Sequence, residues 1–255
     1  HEACDFYVRK GGVWPKDLKA FLGDHSVFTK VLEKSSVDAD PELPKEFQLL
    51  EDLRPGLREA VTEYLTSRGL QKRILEKTQV GYCTTGKFWG YIIFPVLING
   101  EVVYWQARRF KKRTPKFYNP SSTRKTEWLY CLGDHKYPRG AVIVESVINA
   151  LTLAMKNSNW VIYVLLGKTI SDTQIREVGK HRDSFREVVI ALDGDARKEA
   201  LELAKKIQGT VQMVKMAEIP DGEDINSLGR EKAWSLIYSA QLYESKRHYA
   251  MLERA

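Results

Sequence analysis

Val188-Val189-Ile190-Ala191-Leu192-Asp193-Gly194-Asp195 is an apolar, β-branched run that stops at two acids split by a glycine. A short apolar run without polar interruption is the pattern of a strand buried on both faces. Val142-Ile143-Val144 has the same character and stops at Glu145. Val161 to Leu166 and Val211 to Met216 supply two more such runs. Helical patterns lie between them: an apolar stretch through Met155, a helix near Asp172–Lys180, and a charged helix from Ala196 to Gln208. Strands alternating with helices imply βαβ units, so the predicted class is α/β with a parallel sheet flanked by helices.

In such a sheet, functional groups gather where the carboxyl ends of the strands open into loops. Glu145, Asp193 and Asp195 all fall there. Two carboxylates spaced i, i+2 in extended chain point to one side, and Gly194 between them lets the backbone turn or be approached closely. Hard oxygen ligands suit Mg²⁺ or Mn²⁺, which hold phosphates and activate a hydroxyl for attack on phosphorus. Asp and Gly are also common in ordinary turns, so this triplet by itself leaves a structural turn open.

The preceding half reads differently. Residues 1–34 are broken by Gly11-Gly12 and Pro15, and the polar stretch 35–44 reads as a linker. From Gly56 to Ser67, Leu57, Val61, Tyr64 and Leu65 recur at helical spacing, with Gly69 where a C-cap belongs. Tyr91–Val96 and Val102–Trp105 flank Asn99-Gly100, a strong hairpin signal. From Val102 to Thr126 there are eight Lys or Arg and no Asp or Glu, so this one segment carries +8 and the rest of a chain of net charge +7 is close to neutral. Within it, Phe110, Phe117 and Tyr118 are interleaved with Arg108, Arg109, Lys111, Lys112, Arg113 and Lys116. Cations neutralise phosphates and aromatic rings stack on unpaired bases, although a solvated charged hairpin has the same composition.

The 255 residues are 43% apolar and 29% charged, which fits a globular chain with a sizeable core. No apolar run approaches the roughly 20 residues that span a bilayer, and no signal-peptide pattern opens the chain. The first residue is His1, as expected of an excised fragment. Cys4, Cys83 and Cys131 are far apart, which gives neither a complete zinc site nor a disulfide framework and fits a reducing cytoplasm. His25, His135 and His181 lack metal-ligand spacing.

The order of the short motifs resembles bacterial and phage DnaG-type primases over about residues 56 to 240. Glu145 ending one strand and Asp193-Gly194-Asp195 ending another look like the Toprim fold of primases, topoisomerases and some nucleases. Tyr64-Leu65-Thr66-Ser67-Arg68-Gly69-Leu70, Phe94-Pro95-Val96 and Arg108 with Thr114-Pro115-Lys116-Phe117-Tyr118-Asn119 are similar to family motifs. So are Leu129-Tyr130-Cys131-Leu132, with Cys131 where the family has Gly, Leu166-Gly167-Lys168-Thr169, and Pro220-Asp221-Gly222-Glu223-Asp224.

The resemblance implies an N-terminal segment and linker (1–45), a basic α+β subdomain (46–138), a Toprim catalytic subdomain (139–228) and a helical tail (229–255). It implies template-directed synthesis of RNA primers on single-stranded DNA from ribonucleoside triphosphates, within a primosome, with Mg²⁺ or Mn²⁺ as cofactor and a replicative helicase as partner. Glu145, Asp193 and Asp195 would be catalytic, with Asp224 as a fourth metal ligand. Arg108, Arg109, Lys111, Lys112, Arg113, Lys116, Asn119 and Lys168 would meet nucleic acid or nucleotide. His1 and Cys4 would be the severed end of an upstream zinc module. Two positions depart from the family pattern, since Asn149 and Asn226 stand where it carries Asp. One metal held firmly and a second held weakly, with nucleotide present, is the expectation. The rival readings are a Toprim-type nuclease, which has no need of the basic segment, and a nucleic-acid-binding relative weakened in catalysis. No tyrosine-bearing cleavage domain fits this length, which disfavours a topoisomerase.

Overall fold

Pro55 opens the first α-helix among the described residues, where its missing N–H costs nothing and its fixed φ suits the first turn. The computed structural model describes residues 42–98, 101–110, 115, 117–120, 123–127, 129–132, 138–154 and 159–244. Helix α1 (Pro55–Ser67) buries Val61 and Leu65 from the predicted stripe. It ends as expected at Gly69, whose φ is +87°. The Leu70 N–H donates to Leu65 O and the Gly69 N–H to Thr66 O, the paired bonds of a Schellman cap.

Five antiparallel strands follow chain order in the first sheet: β1 (Phe47–Leu49), β2 (Gly81–Cys83), β3 (Tyr91–Ile98), β4 (Glu101–Arg109) and β5 (Phe117–Tyr118). A short helix, α2 (Lys72–Lys77), precedes β2. The predicted hairpin is β3–β4, paired from Tyr91↔Arg109 to Ile98↔Glu101 with a register shift between Val96 and Leu97. Pro95 lies past the last β2 partner of β3, where a strand paired on one side tolerates the missing donor. Cys83, Tyr91, Ile93, Trp105 and Ala107 form the core against this sheet.

The second sheet runs β11-β10-β9-β7-β8-β6. Its centre is parallel: β7 (Gly140–Val144), β8 (Trp160–Val164), β9 (Glu187–Ile190) and β10 (Val214–Met216). Helices α3 (Val147–Leu153), α4 (Asp172–Lys180) and α5 (Arg197–Ile207) make the crossovers. Every residue of β7, β8 and α3 is buried, and burying a Val or Ile side chain is worth about 1.5–3 kcal/mol. β7 and β9 are neighbours, although β8 lies between them in the chain. The strand order therefore reverses direction between β7 and β9, and ligands bind at such switch points.

The parallel centre flanked by helices is the expected α/β arrangement, and two antiparallel strands, β6 (Tyr130–Leu132) and β11 (Gln241–Leu242), edge it. After α6 (Ile225–Leu228), the expected tail begins with α7 (Arg230–Tyr238), and the chain then returns as β11 alongside β10. Described residues from Thr126 onward make one compact unit and those up to Lys125 another, with β6 in the former through its pairing to β8. Cys83 and Cys131 are buried free thiols, and burial drives the Cys83 pKa up to about 12. Among the described residues no helix is long and apolar enough to cross a membrane.

Candidate metal centre

The β7 backbone delivers Glu145 one residue past Val144. The β9 backbone continues through buried Ala191 and Leu192 to Asp193, with the Ala191 N–H still donating to Ile143 O (2.9 Å). A 3-10 turn over Gly194–Ala196 then lifts Asp195 to the surface before α5 begins. Glu145, Asp193 and Asp195 each place a carboxylate oxygen within 4.8 Å of the other two. The Asp193 N–H donates to Glu145 Oε1 (3.2 Å), which ties the two strand ends together.

Gly194 is required for space rather than for an unusual dihedral. A Cβ there would lie 2.0 Å from Pro220 O and 2.6 Å from Pro220 C, both backbone atoms. The Gly194 N–H donates to Glu223 O (3.0 Å), so the loop 220–224 packs directly on the turn between the two acids.

Burial and mutual repulsion hold a metal-free site partly protonated. Desolvation first, then the Asp193 charge, pushes Glu145 up to about 7, against the pull of the Asp193 N–H and Lys168. Desolvation and the Asp224 charge push Asp193 up to about 6, against the hydrogen bond from Asn149. Two neighbouring carboxylates raised together make a site that gains from a bound cation.

Asn149 is 1% exposed and donates Nδ2 to Asp193 Oδ1 (2.9 Å). Facing a carboxylate, the amide must present its nitrogen. Its Oδ1 is left buried without a hydrogen-bond partner among the described residues. Three hard carboxylate oxygens this close together suit a divalent cation. Asp224 stands outside the triad: it caps α6, accepting from the Ser227 N–H (2.6 Å), and reaches the centre through its charge on Asp193. Asn226 is equally buried and donates to Thr152 Oγ1 (2.8 Å), joining α6 to α3.

Lys168 does join the centre, with Nζ 3.0 Å from Asp195 Oδ1. The loop that carries it was predicted as strand up to Leu166, but β8 ends at Val164. Leu166 is buried at φ +58°, a left-handed conformation that costs a non-glycine residue roughly 1–2 kcal/mol. Nothing in the sequence signals this, because left-handed turns ordinarily announce themselves as Gly or Asn.

In the antiparallel unit, Arg108 is 1% exposed. Its Nε donates to the Tyr64 hydroxyl (3.1 Å), its guanidinium lies 4.8 Å from the Phe117 ring centre, and Nη1 has no partner among the described residues. A fully solvent-facing Arg108 is thereby ruled out. Arg109 lies over Tyr91 at 4.1 Å and donates to Trp89 O (2.8 Å). Asn119 is exposed and accepts from Gln106 Nε2 (3.1 Å). Lys111, Lys112, Arg113 and Lys116 lie outside the described residues.

Residues 142–228 match the Toprim-like family, the segment that carries all four acids. The fold is that of a DnaG primase catalytic core. It is similar to the structure of the DnaG catalytic core, with a TM-score of 0.61, 18% identity and 81% of each chain covered. It is also similar to the DnaG primase catalytic domain bound to single-stranded DNA, with a TM-score of 0.62, 19% identity, and 81% and 80% of the two chains covered. In sequence the chain is 26% identical over 230 residues to the DNA primase of Haemophilus influenzae, covering 70% of this chain. It spans only 38% of the length of that relative. The segment that matches the Toprim-like family carries the triad at the switch point between β7 and β9.

Proposed function

We propose that this chain is the RNA-synthesising core of a DNA primase, joining ribonucleotides on a single-stranded DNA template. The convergence of Glu145, Asp193 and Asp195 on one point of a Toprim-like sheet, in a chain with the DnaG core fold, carries this reading. Glu145, Asp193 and Asp195 would hold a divalent ion, Mg²⁺ or Mn²⁺, with Asp224 adding negative charge from the α6 cap. When bound, the ion supplies neutralisation of phosphate charge and a lowered pKa for a coordinated hydroxyl. Glu145 holds the ion or takes the proton of the attacking 3′-hydroxyl, since burial keeps its proton affinity high. Lys168 neutralises triphosphate oxygens. Transfer of this kind is mostly positioning and charge stabilisation, so the triad's rigid anchoring to β7 and β9 matters more than any one contact.

Arg109 and Asn119, with Lys111, Lys112, Arg113 and Lys116, would grip the template backbone, and Phe117 would offer a face to unpaired bases. Arg108 contributes there by bracing Phe117 and Tyr64. Work in the cytoplasm beside a replicative helicase completes the reading.

The test supplies single-stranded template, ribonucleotides, a dinucleotide primer and Mg²⁺ or Mn²⁺. Extension into short RNA, lost in Asp193→Asn and Asp195→Asn, is expected. Cleavage of the template without synthesis would make the chain a nuclease, and template binding with neither reaction would make it a catalytically weakened relative.

A further inference from the structure

Each carboxylate of the triad carries a protein donor on one oxygen. Glu145 takes the Asp193 N–H, Asp193 takes the Asn149 amide, and Asp195 takes the Lys168 ammonium. The first two donors are neutral. The third is a full positive charge against the most exposed of the three acids.

We propose that Lys168 is a tethered cation that holds Asp195 where a second divalent ion would otherwise sit, so that the resting site takes one metal ion. The proposal rests on the reading of the triad as a metal centre. Within the triad itself, three carboxylates less one ammonium leave two negative charges, the charge of one divalent ion, and Asp224 adds its charge only from the α6 cap outside the triad. A second divalent ion at Asp195 would meet both the first ion and the ammonium, and repulsion at a few ångströms in a partly desolvated site is strong.

The position of Lys168 is built, not incidental. The Leu165 N–H donates to Val144 O (3.0 Å) and the Gly167 N–H to Glu145 O (3.1 Å). Lys168 is therefore carried by a loop pinned to the backbone of Glu145, another acid of the triad, and Leu166 adopts its left-handed φ on the way. The Lys168 and Asp195 side chains are 37% and 69% exposed, and ion pairs that exposed add little to folding. Arrival of a triphosphate changes the balance. The ammonium can pass from Asp195 to phosphate oxygens, and Asp195 is then released to hold a second ion together with the nucleotide.

Mn²⁺ titration of the whole chain, followed by electron paramagnetic resonance without nucleotide, tests this. Wild type is expected to bind one ion. Lys168→Met and Lys168→Gln are expected to bind a second, or to tighten the first on the order of tenfold as one nearby positive charge is lost. Lys168→Arg keeps the charge and should behave as wild type. Circular dichroism of each variant checks that it is folded. Two equal sites in wild type, or one unchanged site in both neutral variants, would overturn the tethered-cation role alone. Absence of Mn²⁺ binding in wild type, or binding that survives Asp193→Asn, would overturn the metal centre itself.

Discussion

Replacing Gly194 by alanine adds one methyl group between the two acids. It would be built 2.0 Å from Pro220 O, 2.6 Å from Pro220 C and 3.1 Å from Asp221 Cα. Ordinary contact begins at about 3.4 Å, so the turn and the loop 220–224 must separate by more than 1 Å. No flexible side chain can absorb this, because all three neighbours are backbone. Overpacking of this kind costs about 1–3 kcal/mol. Separation also stretches the 3.0 Å bond from the Gly194 N–H to Glu223 O, and an unmade buried bond costs about 1–3 kcal/mol more. Gly194→Ala should therefore lose about 2–6 kcal/mol in urea unfolding followed by tryptophan fluorescence. Metal binding should weaken as well, since Asp193 and Asp195 flank the displaced atom. A variant within 0.5 kcal/mol of wild type, a limit set by ordinary surface substitutions, would refute the close-approach argument for this glycine.

Other outcomes follow from the same geometry. The folded-state pKa of Glu145 is raised from 4.5 to about 7 and that of Asp193 from 3.8 to about 6. The metal-free protein should therefore be most stable below pH 4 as far as these groups are concerned, and lose that stability as pH rises through 7; Glu145 alone accounts for roughly 3 kcal/mol. Denaturation curves between pH 5 and 8, with and without Mg²⁺, measure this, and a metal-free stability rising over that range would contradict it. Glu145→Gln should stabilise the metal-free form at pH 8 while removing its response to Mg²⁺. Arg108→Ala should cost about 3 kcal/mol through lost packing, whereas Arg108→Met, which keeps volume and removes a charge with an orphaned Nη1, should stay within about 1 kcal/mol. Thermal melts of both variants decide it, and equal losses would show that the guanidinium charge itself is structural. Asn149→Asp places one more acid against Asp193, so it should destabilise the metal-free protein by about 1–3 kcal/mol and tighten Mn²⁺ binding. Calorimetric titration showing weaker binding would count against Asn149 lying at the metal site.

What was readable in the sequence follows from how local each cause is. Val142–Val144 and Val188–Leu192 are continuous apolar runs, so the strands and the acids that end them could be placed together. The Schellman cap at Gly69 and the β3–β4 hairpin depend on residues within one turn of each other. Arg108 is different: its alternation along β4 matches a surface residue as well as a buried one, and its partner Tyr64 is 44 residues away. The left-handed Leu166 is set by pairing of the loop to Val144 and Glu145, which a local reading cannot see. Asn149 and Asn226 stood out equally as departures, yet one faces Asp193 and the other bonds to Thr152, and only packing separates them.

The returning strand β11 has a practical consequence for solubility. Its two residues pair Leu242 with Lys215 and Gln241 with Met216, and the Tyr243 N–H donates to Val214 O (2.9 Å). A chain shortened to end at Ala240 would strip these partners and leave Val214–Met216 as an open edge. Bare parallel-sheet edges recruit strands from other molecules, and very short covering strands are a common defence. Such a shortened chain should keep its triad and yet self-associate, so a handful of residues far from the acids would govern whether the protein stays in solution.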